Sequence, residues 1–323
     1  MTAALPPSER VRRDCRRVAD AARSVRIDLD RLPAYAASLD PEGLELPTLD
    51  PESHVVGRGA ETAAFMLTLE AVNFGSGDFH HLRGIGAEAS GYFLVARSIA
   101  RRFRERGAMT AEELAEIDRS ACAALFGQAG HRPAEPLMQR FAEAWRELGR
   151  FVIERFSGDL TGPVVSAAGS SQRLAEILVG MPGFCDEALY DGRTVCFYKR
   201  AQLTAADLSL ALGGRGLGRF HDLDRLTIFA DDLVPHVLRT DGILRYAPGL
   251  ARRIDEGESL TPGSADEVEI RACAIDAAER ITTALHEAGR DVEAMRVDYC
   301  LWNRGLGPAY ADGLRHRVST RFY

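Results

Sequence analysis

Helical periodicity, sustained over most of the chain, is what most limits the folds open to this sequence. Between Ser90 and Phe156 the runs SGYFLVARSIARRFRERG, TAEELAEIDRSACAALFG and AEPLMQRFAEAWRELGRFVIERFSG each bring apolar residues back every three or four positions. Thr110 followed by Glu113 has capping-box spacing. Near the start, Val11, Cys15, Val18 and Ala22 share one helix face, with Ser8 as N-cap. After a loop at Pro47–Pro51, ETAAFMLTLEAVNF makes a helix whose Phe65, Leu69 and Val72 point one way. SADEVEIRACAIDAAERITTALHEAG is a long helix with an acidic beginning, favoured by its dipole. TVCFY, after an Asp-Gly turn, is the one convincing strand, and DGILRYAPGLARRIDEG reads as helix and loop. The prediction is a mainly α fold with a few short strands and no internal repeat.

A chain of 323 residues fits a single domain over 1–323, or two intimate helical lobes at about 1–160 and 161–323. The net charge of −7 argues against a protein that holds a nucleic-acid polymer electrostatically, but leaves a single nucleotide open. No stretch approaches the ~20 apolar residues of a membrane span, and the N-terminus lacks a signal-peptide core, so a soluble, cytoplasmic protein is expected; its oligomeric state is left open, with a monomer favoured. The six cysteines are scattered without a CxxC pair and read as buried thiols. His80 and His81 have no acidic or histidine partner one turn on, so no metal is expected, and no organic cofactor either.

Residues Arg193 to Arg239 gather the groups that phosphate binding and adjacent chemistry require. Phe197, Tyr198, Lys199 and Arg200 lead into a short apolar helix; Gly213, Gly214, Gly216 and Gly218 make a turn; a second apolar helix then carries Phe229, Asp231 and Asp232. A carboxylate on the edge of LTIFADDLVPHVL is desolvated, which raises its pKa unless a cation answers it. Asp231 therefore reads either as a functional acid or as a cap before Pro235, and Asp232 as solvated. Lys199 and Arg200 read as pocket-facing cations or as plain surface charge. The glycine turn resembles the helix-hairpin-helix of base-excision glycosylases, whose backbone N–H groups meet phosphate.

Outside that stretch, Asp298 and Trp302 fall one helical turn apart, an acid for the donor edge of a guanine-type base beside a stacking surface. Asn73 lies at a helix end broken by Gly75 and Ser76, a place for a ligand contact or a C-cap. Ser170 and Ser171 precede a helix that they cap, or where a phosphate sits. His316, Arg317 and Arg321 are further phosphate candidates or loose terminal charges.

Together the segments AVNFGSG, FYKRAQLTAADL, FHDLDRLTIFADDLVP, EVEIRACAI, VDYCLWN and HRVSTRFY resemble the queuosine salvage proteins, which are queuosine 5′-phosphate N-glycosylases/hydrolases. The resemblance runs from about Asn73 to the last residue. It implies a helical fold akin to helix-hairpin-helix DNA glycosylases, and release of queuine from queuosine 5′-monophosphate. It also implies that Asp231 is the catalytic carboxylate, that Phe229 and Asp298 hold the base, and that Lys199 lies near phosphate or ribose. His54 is carried over as a further substrate contact. The family often has an aromatic residue after the Phe-Ala-Asp motif, where this chain has Asp232. Two other functions share some of these features: a DNA or RNA base glycosylase acting on polymer, and a non-enzymatic nucleotide-binding protein.

Overall fold

Helix-forming sequence becomes helix almost wherever its spacing predicts, in a computed structural model that describes residues 5–84, 90–311 and 313–323. The first half carries α1 (Pro7–Ala21), α2 (Leu32–Ser38), α3 (Ala60–Ala71), α4 (Gly91–Arg106), α5 (Ala111–Glu116), α6 (Arg119–Leu125) and α7 (Glu135–Phe156). The second carries α8 (Gly162–Ser166), α9 (Ser171–Val179), α10 (Lys199–Leu212), α11 (Leu233–Thr240), α12 (Pro248–Asp255), α13 (Ala265–Glu287) and α14 (Ala294–Gly305). Two antiparallel strand pairs complete the described residues: β1 (Val25–Ile27) with β4 (Leu244–Tyr246), and β2 (Glu187–Tyr190) with β3 (Arg193–Cys196). The molecule is mainly helical, as the periodicity requires.

Three helices, α3, α10 and α13, are buried on nearly every side. Small residues make this close packing feasible: Ala63, Ala64, Ala201, Ala205, Ala272 and Ala274 let neighbouring backbones approach. α13 packs against α1 and α2, α10 against α3 and α9, and α11 against α14. Each central helix also buries ionisable side chains: Glu70 on α3, Lys199, Arg200 and Asp207 on α10, Glu267 and Arg271 on α13. Fully buried charges are rare unless paired or functional, so these three helices mark where chemistry is to be sought.

Several expectations change locally. Ser8 lies inside α1, behind Pro6, and its N–H and hydroxyl both donate to Gln172 Oε1 instead of capping. The run from Thr110 divides into two helices, because Asp118 caps a new start by accepting the N–H of Ala121 at 2.7 Å. The capping box of Thr110 and Glu113 forms as its spacing indicates. LRY, read as helix, is strand β4, paired with β1. The Asp-Gly turn does set a hairpin: Asp191 and Gly192 have φ of 48° and 73°, the left-handed pair that a tight two-residue hairpin needs.

The largest change concerns Asp231. The segment from Leu226 to Ala230 has no regular secondary structure, and the helix begins only at Leu233. Asp231 Oδ1 accepts the N–H groups of Leu233 at 2.8 Å and Val234 at 3.2 Å. The carboxylate thereby satisfies donors that a helix N-terminus leaves free, and Pro235 in the first turn lacks a donor to satisfy. Asp231 precedes a helix instead of riding on one.

Candidate functional site

Asp231 and Lys199 meet across the junction of two helix starts. Lys199 is the first residue of α10, and its Nζ stands 3.9 Å from Asp231 Oδ2, both side chains about nine-tenths buried. One carboxylate oxygen is thus held by the N–H groups that open α11, and the other faces an ammonium. Burial raises the Asp231 carboxyl above its ordinary range; Lys199 opposes that rise, and Asp232 adds to it.

Three more buried carboxyl groups surround the pair. Asp298, on α14, accepts the backbone N–H of Phe229 at 2.8 Å through Oδ1. Burial pushes its carboxyl up to about 8, and the negative charge of Asp231 contributes. Glu70 is raised well above its ordinary value by burial and then by Asp207, and Asp207 is raised by its own burial. Asp207 Oδ1 accepts the Tyr299 hydroxyl at 2.7 Å, and both Glu70 oxygens accept from Asn73 Nδ2 at 3.2 Å. Four carboxyl groups around one ammonium in a dry interior cannot all ionise, so some of them retain protons. The Lys199 ammonium is the largest influence favouring ionisation at Asp231, and a carboxylate held beside a cation in a desolvated site is what a reaction that builds positive charge on a bound ligand can use.

His54 and Trp302 lie on the aromatic side of this group. His54 Nδ1 meets the carbonyl of Asp50 at 2.9 Å, so that nitrogen donates, and Nε2 accepts from the Tyr92 hydroxyl at 2.8 Å. Trp302 is partly exposed and stands edge-on to Tyr92 and Phe93, with ring centroids 6.0 and 6.2 Å away. Phe229 is almost wholly buried and packs its ring on Tyr299 at 6.2 Å. Asp298 and Trp302 do share a face of α14 as their spacing implies.

Other expected contacts do not assemble here. Gly213 and Gly214, with φ of 59° and 66°, close the end of α10 by sending their N–H groups back to Leu210 and Ser209. That end is exposed and roughly 20 Å along the helix from Lys199 at ~1.5 Å per residue. Only two single-turn 3-10 helices, Gly216–Gly218 and Leu223–Arg225, lie between the turn and the α-helix that starts at Leu233, so a local helix-hairpin-helix is not formed. The start of α9 is occupied too: Asp222 accepts the Ser170 hydroxyl and the Ser171 N–H, both at 2.6 Å, and fills the place of an anion. Asp232, expected to be solvated, is buried, with Arg315 3.7 Å away. Arg200 spends its guanidinium on the carbonyls of Glu70, Ala71, Gly183 and Arg321, while Arg321 pairs with Glu147. Among the described residues, no cluster of three or more histidine, cysteine or acidic side chains has the geometry to hold a metal ion.

Glu70 and Asp207 are buried acids around the pair that sequence reasoning did not single out, and Tyr299 is the hydroxyl that Asp207 accepts from. The signal for the two acids was the one applied to Asp231, a carboxylate within an apolar run, and it stands in MLTLEAV and in LTAADLSLAL.

A family model described as Queuosine salvage protein matches residues 53–323. A protein of Sphaerobacter thermophilus named queuosine 5′-phosphate N-glycosylase/hydrolase is 37% identical over 313 residues, 95% of this chain and 96% of its own length. Proteins of the same name from Dictyostelium discoideum and Mus musculus are 37% and 35% identical over 181 and 176 residues. Those matches cover 55% and 52% of this chain, and 56% and 52% of the relatives.

Proposed function

The chain belongs to the queuosine salvage protein family, and from that membership we propose that it hydrolyses the N-glycosidic bond of queuosine 5′-monophosphate, releasing queuine and ribose 5-phosphate. The observation that carries the reading to a residue is the Asp231 carboxylate, buried, fixed by two backbone N–H groups and 3.9 Å from Lys199 Nζ. N-glycoside cleavage sends the bonding pair to the base nitrogen and leaves positive charge on the ribose ring. Asp231 stabilises that oxocarbenium-like transition state, or takes the proton of the water whose oxygen bonds to C1′. An anion of this kind in a desolvated site is worth far more than the same group in water.

In this reading Asp298 and Phe229 hold the base, Trp302 supplies a stacking surface, and Asn73 and His54 complete the substrate contacts. Lys199 balances Asp231 and reaches the ribose or its phosphate. The leaving base is a 7-deazapurine with no N7 to protonate, so hydrogen bonds from the pocket and queuine's own ammonium group assist its departure. The substrate is a free nucleotide, taken up in the cytoplasm by a monomer. An apolar cluster running from Val11 to Tyr323 supports treating the chain as a single domain. Kinship with helix-hairpin-helix glycosylases belongs to this proposal at the level of the whole helical arrangement, not of the glycine turn.

Chromatography of the products after mixing the protein with queuosine 5′-monophosphate tests the reading. Queuine and ribose 5-phosphate are expected from the parent, and from Asp231→Ala a bound but uncleaved nucleotide. Near-parental turnover by Asp231→Ala, or no base released by the parent, overturns it.

A further inference from the structure

The best-formed ion pair in the interior has no part in the chemistry above. Arg271, in the middle of α13 and 2% exposed, forks onto Asp186, with Nη1 3.0 Å from Oδ1 and Nη2 2.6 Å from Oδ2. Glu267, one turn earlier, accepts from Nη1 at 3.4 Å, and the Tyr323 hydroxyl donates to the same Glu267 oxygen at 3.0 Å. The guanidinium lies over the rings of Phe197 and Tyr323, 4.0 and 4.4 Å from their centroids. The Nε–H donates to the carbonyl of Ala230 at 3.2 Å.

Both ends of this arrangement lead to the site. Asp186 holds the turn that launches α10: its carbonyl accepts the N–H of Phe197 at 2.9 Å and of Tyr198 at 3.4 Å, and its Oδ2 accepts the N–H of Lys199 at 3.4 Å. Tyr198 in that turn has φ 49°, a left-handed conformation that strains a non-glycine residue and is kept only where the surroundings enforce it. At the other end, Ala230 is the residue before Asp231. One guanidinium therefore grips the backbone beside Asp231 and the carboxylate that anchors Lys199. Stability alone is a weak reason for such a group, because well-packed apolar side chains of similar volume often serve a core equally well.

We propose that Arg271 is the positioning residue of the site: by joining Asp186 to the Ala230 carbonyl, it sets the separation between Lys199 Nζ and Asp231 Oδ2. The proposal rests on the reading of Asp231 as the reacting carboxylate. Lysine at this place keeps the charge but replaces a planar fork with one compact ammonium, which cannot serve Asp186 and Ala230 together. Arg271 is buried against Phe197 and Tyr323 and touches no substrate itself, so the effect falls chiefly on the reacting geometry and only weakly, through Lys199, on affinity.

The test is Arg271→Lys, assayed on queuosine 5′-monophosphate and crystallised beside the parent. A kcat about 10- to 100-fold lower is expected, the scale of loss from an ångström of misplacement, with KM within about threefold of the parent. The crystal structure should show Lys199 Nζ and Asp231 Oδ2 further apart. Parental kcat, a loss confined to KM, or an unchanged separation overturns the proposal. If Arg271→Lys does not fold, Asp186→Asn decides by the same readouts, because it keeps the shape of Asp186 and weakens its hold on Arg271. A parent that releases no queuine defeats the functional reading instead, and the measured separations still judge the positioning role.

Discussion

Phe229 donates its backbone N–H to Oδ1 of Asp298 at 2.8 Å, and this one bond ties the segment leading into Asp231 to α14. The side of the site assigned to the base is thereby registered against the side assigned to the sugar. With its carboxyl pushed up to about 8, Asp298 carries a proton at neutral pH in the free protein. A guanine-type base presents N–H donors, which favour the ionised acid.

Substrate binding at pH 7 is therefore expected to release about one proton per site, by linkage. Calorimetric titration of Asp231→Ala with queuosine 5′-monophosphate, in buffers of different ionisation enthalpy, measures this without turnover. Release should disappear when Asp298→Asn is added. Identical heats in all buffers would show that Asp298 does not meet the base as a carboxylate.

The same raised carboxyl sets the sign of a pH effect on stability. Below the unfolded value of 3.8 Asp298 is protonated in both states, and its contribution is complete. Between 3.8 and about 8 the folded state keeps a proton that the unfolded chain has lost, so stability falls as pH rises. The slope is at most about 1.4 kcal/mol per pH unit. Asp298→Asn retains an oxygen for the Phe229 N–H and removes this titration. Denaturant melts from pH 5 to pH 8 should show the variant gaining on the parent as pH increases; parallel curves would contradict the assignment.

Removing the ammonium should expose what it does for Asp231. Burial raises that carboxyl and Lys199 is the largest influence holding it down. Lys199→Met is thus expected to move the acid limb of the kcat profile toward higher pH, and to lower kcat at pH 7 by about 10²- to 10⁴-fold. Part of the rate should return as pH rises. A reduced rate with the parental acid limb would mean that Lys199 contributes by another route.

How much of this was legible in the sequence depended on the range of the interaction. The helices α4, α7 and α13 follow from local spacing, and the Thr110 capping box from two residues three apart. Asp231 was singled out correctly as buried, but for an incorrect reason. A short apolar run such as LTIFA does not by itself separate a helix from an irregular, buried segment that turns into one, and only the bonds to Leu233 and Val234 decide. Strand β1 has three residues, and its partner lies more than two hundred positions away, so nothing local announces it. The Asp186–Arg271 fork likewise joins a turn to a helix 85 positions on, a contact that residue types alone do not predict.

Trp302 allows the base contact to be watched directly. The chain has two tryptophans, and they differ sharply: Trp145 is fully buried with its Nε1 donating to the Thr68 carbonyl at 2.8 Å, whereas Trp302 is partly exposed beside Tyr92. A base stacking near α14 should quench Trp302 and leave Trp145 unchanged. Titration of Asp231→Ala with queuosine 5′-monophosphate is expected to show saturable quenching, which Trp302→Phe abolishes. Trp302→Ala should weaken binding by about 1–3 kcal/mol, the range for base–aromatic stacking, while its thermal stability stays near the parent's because the ring lies at the edge of the core. Unaltered affinity in Trp302→Ala would remove this residue from the site and leave the base to Phe229 and Asp298.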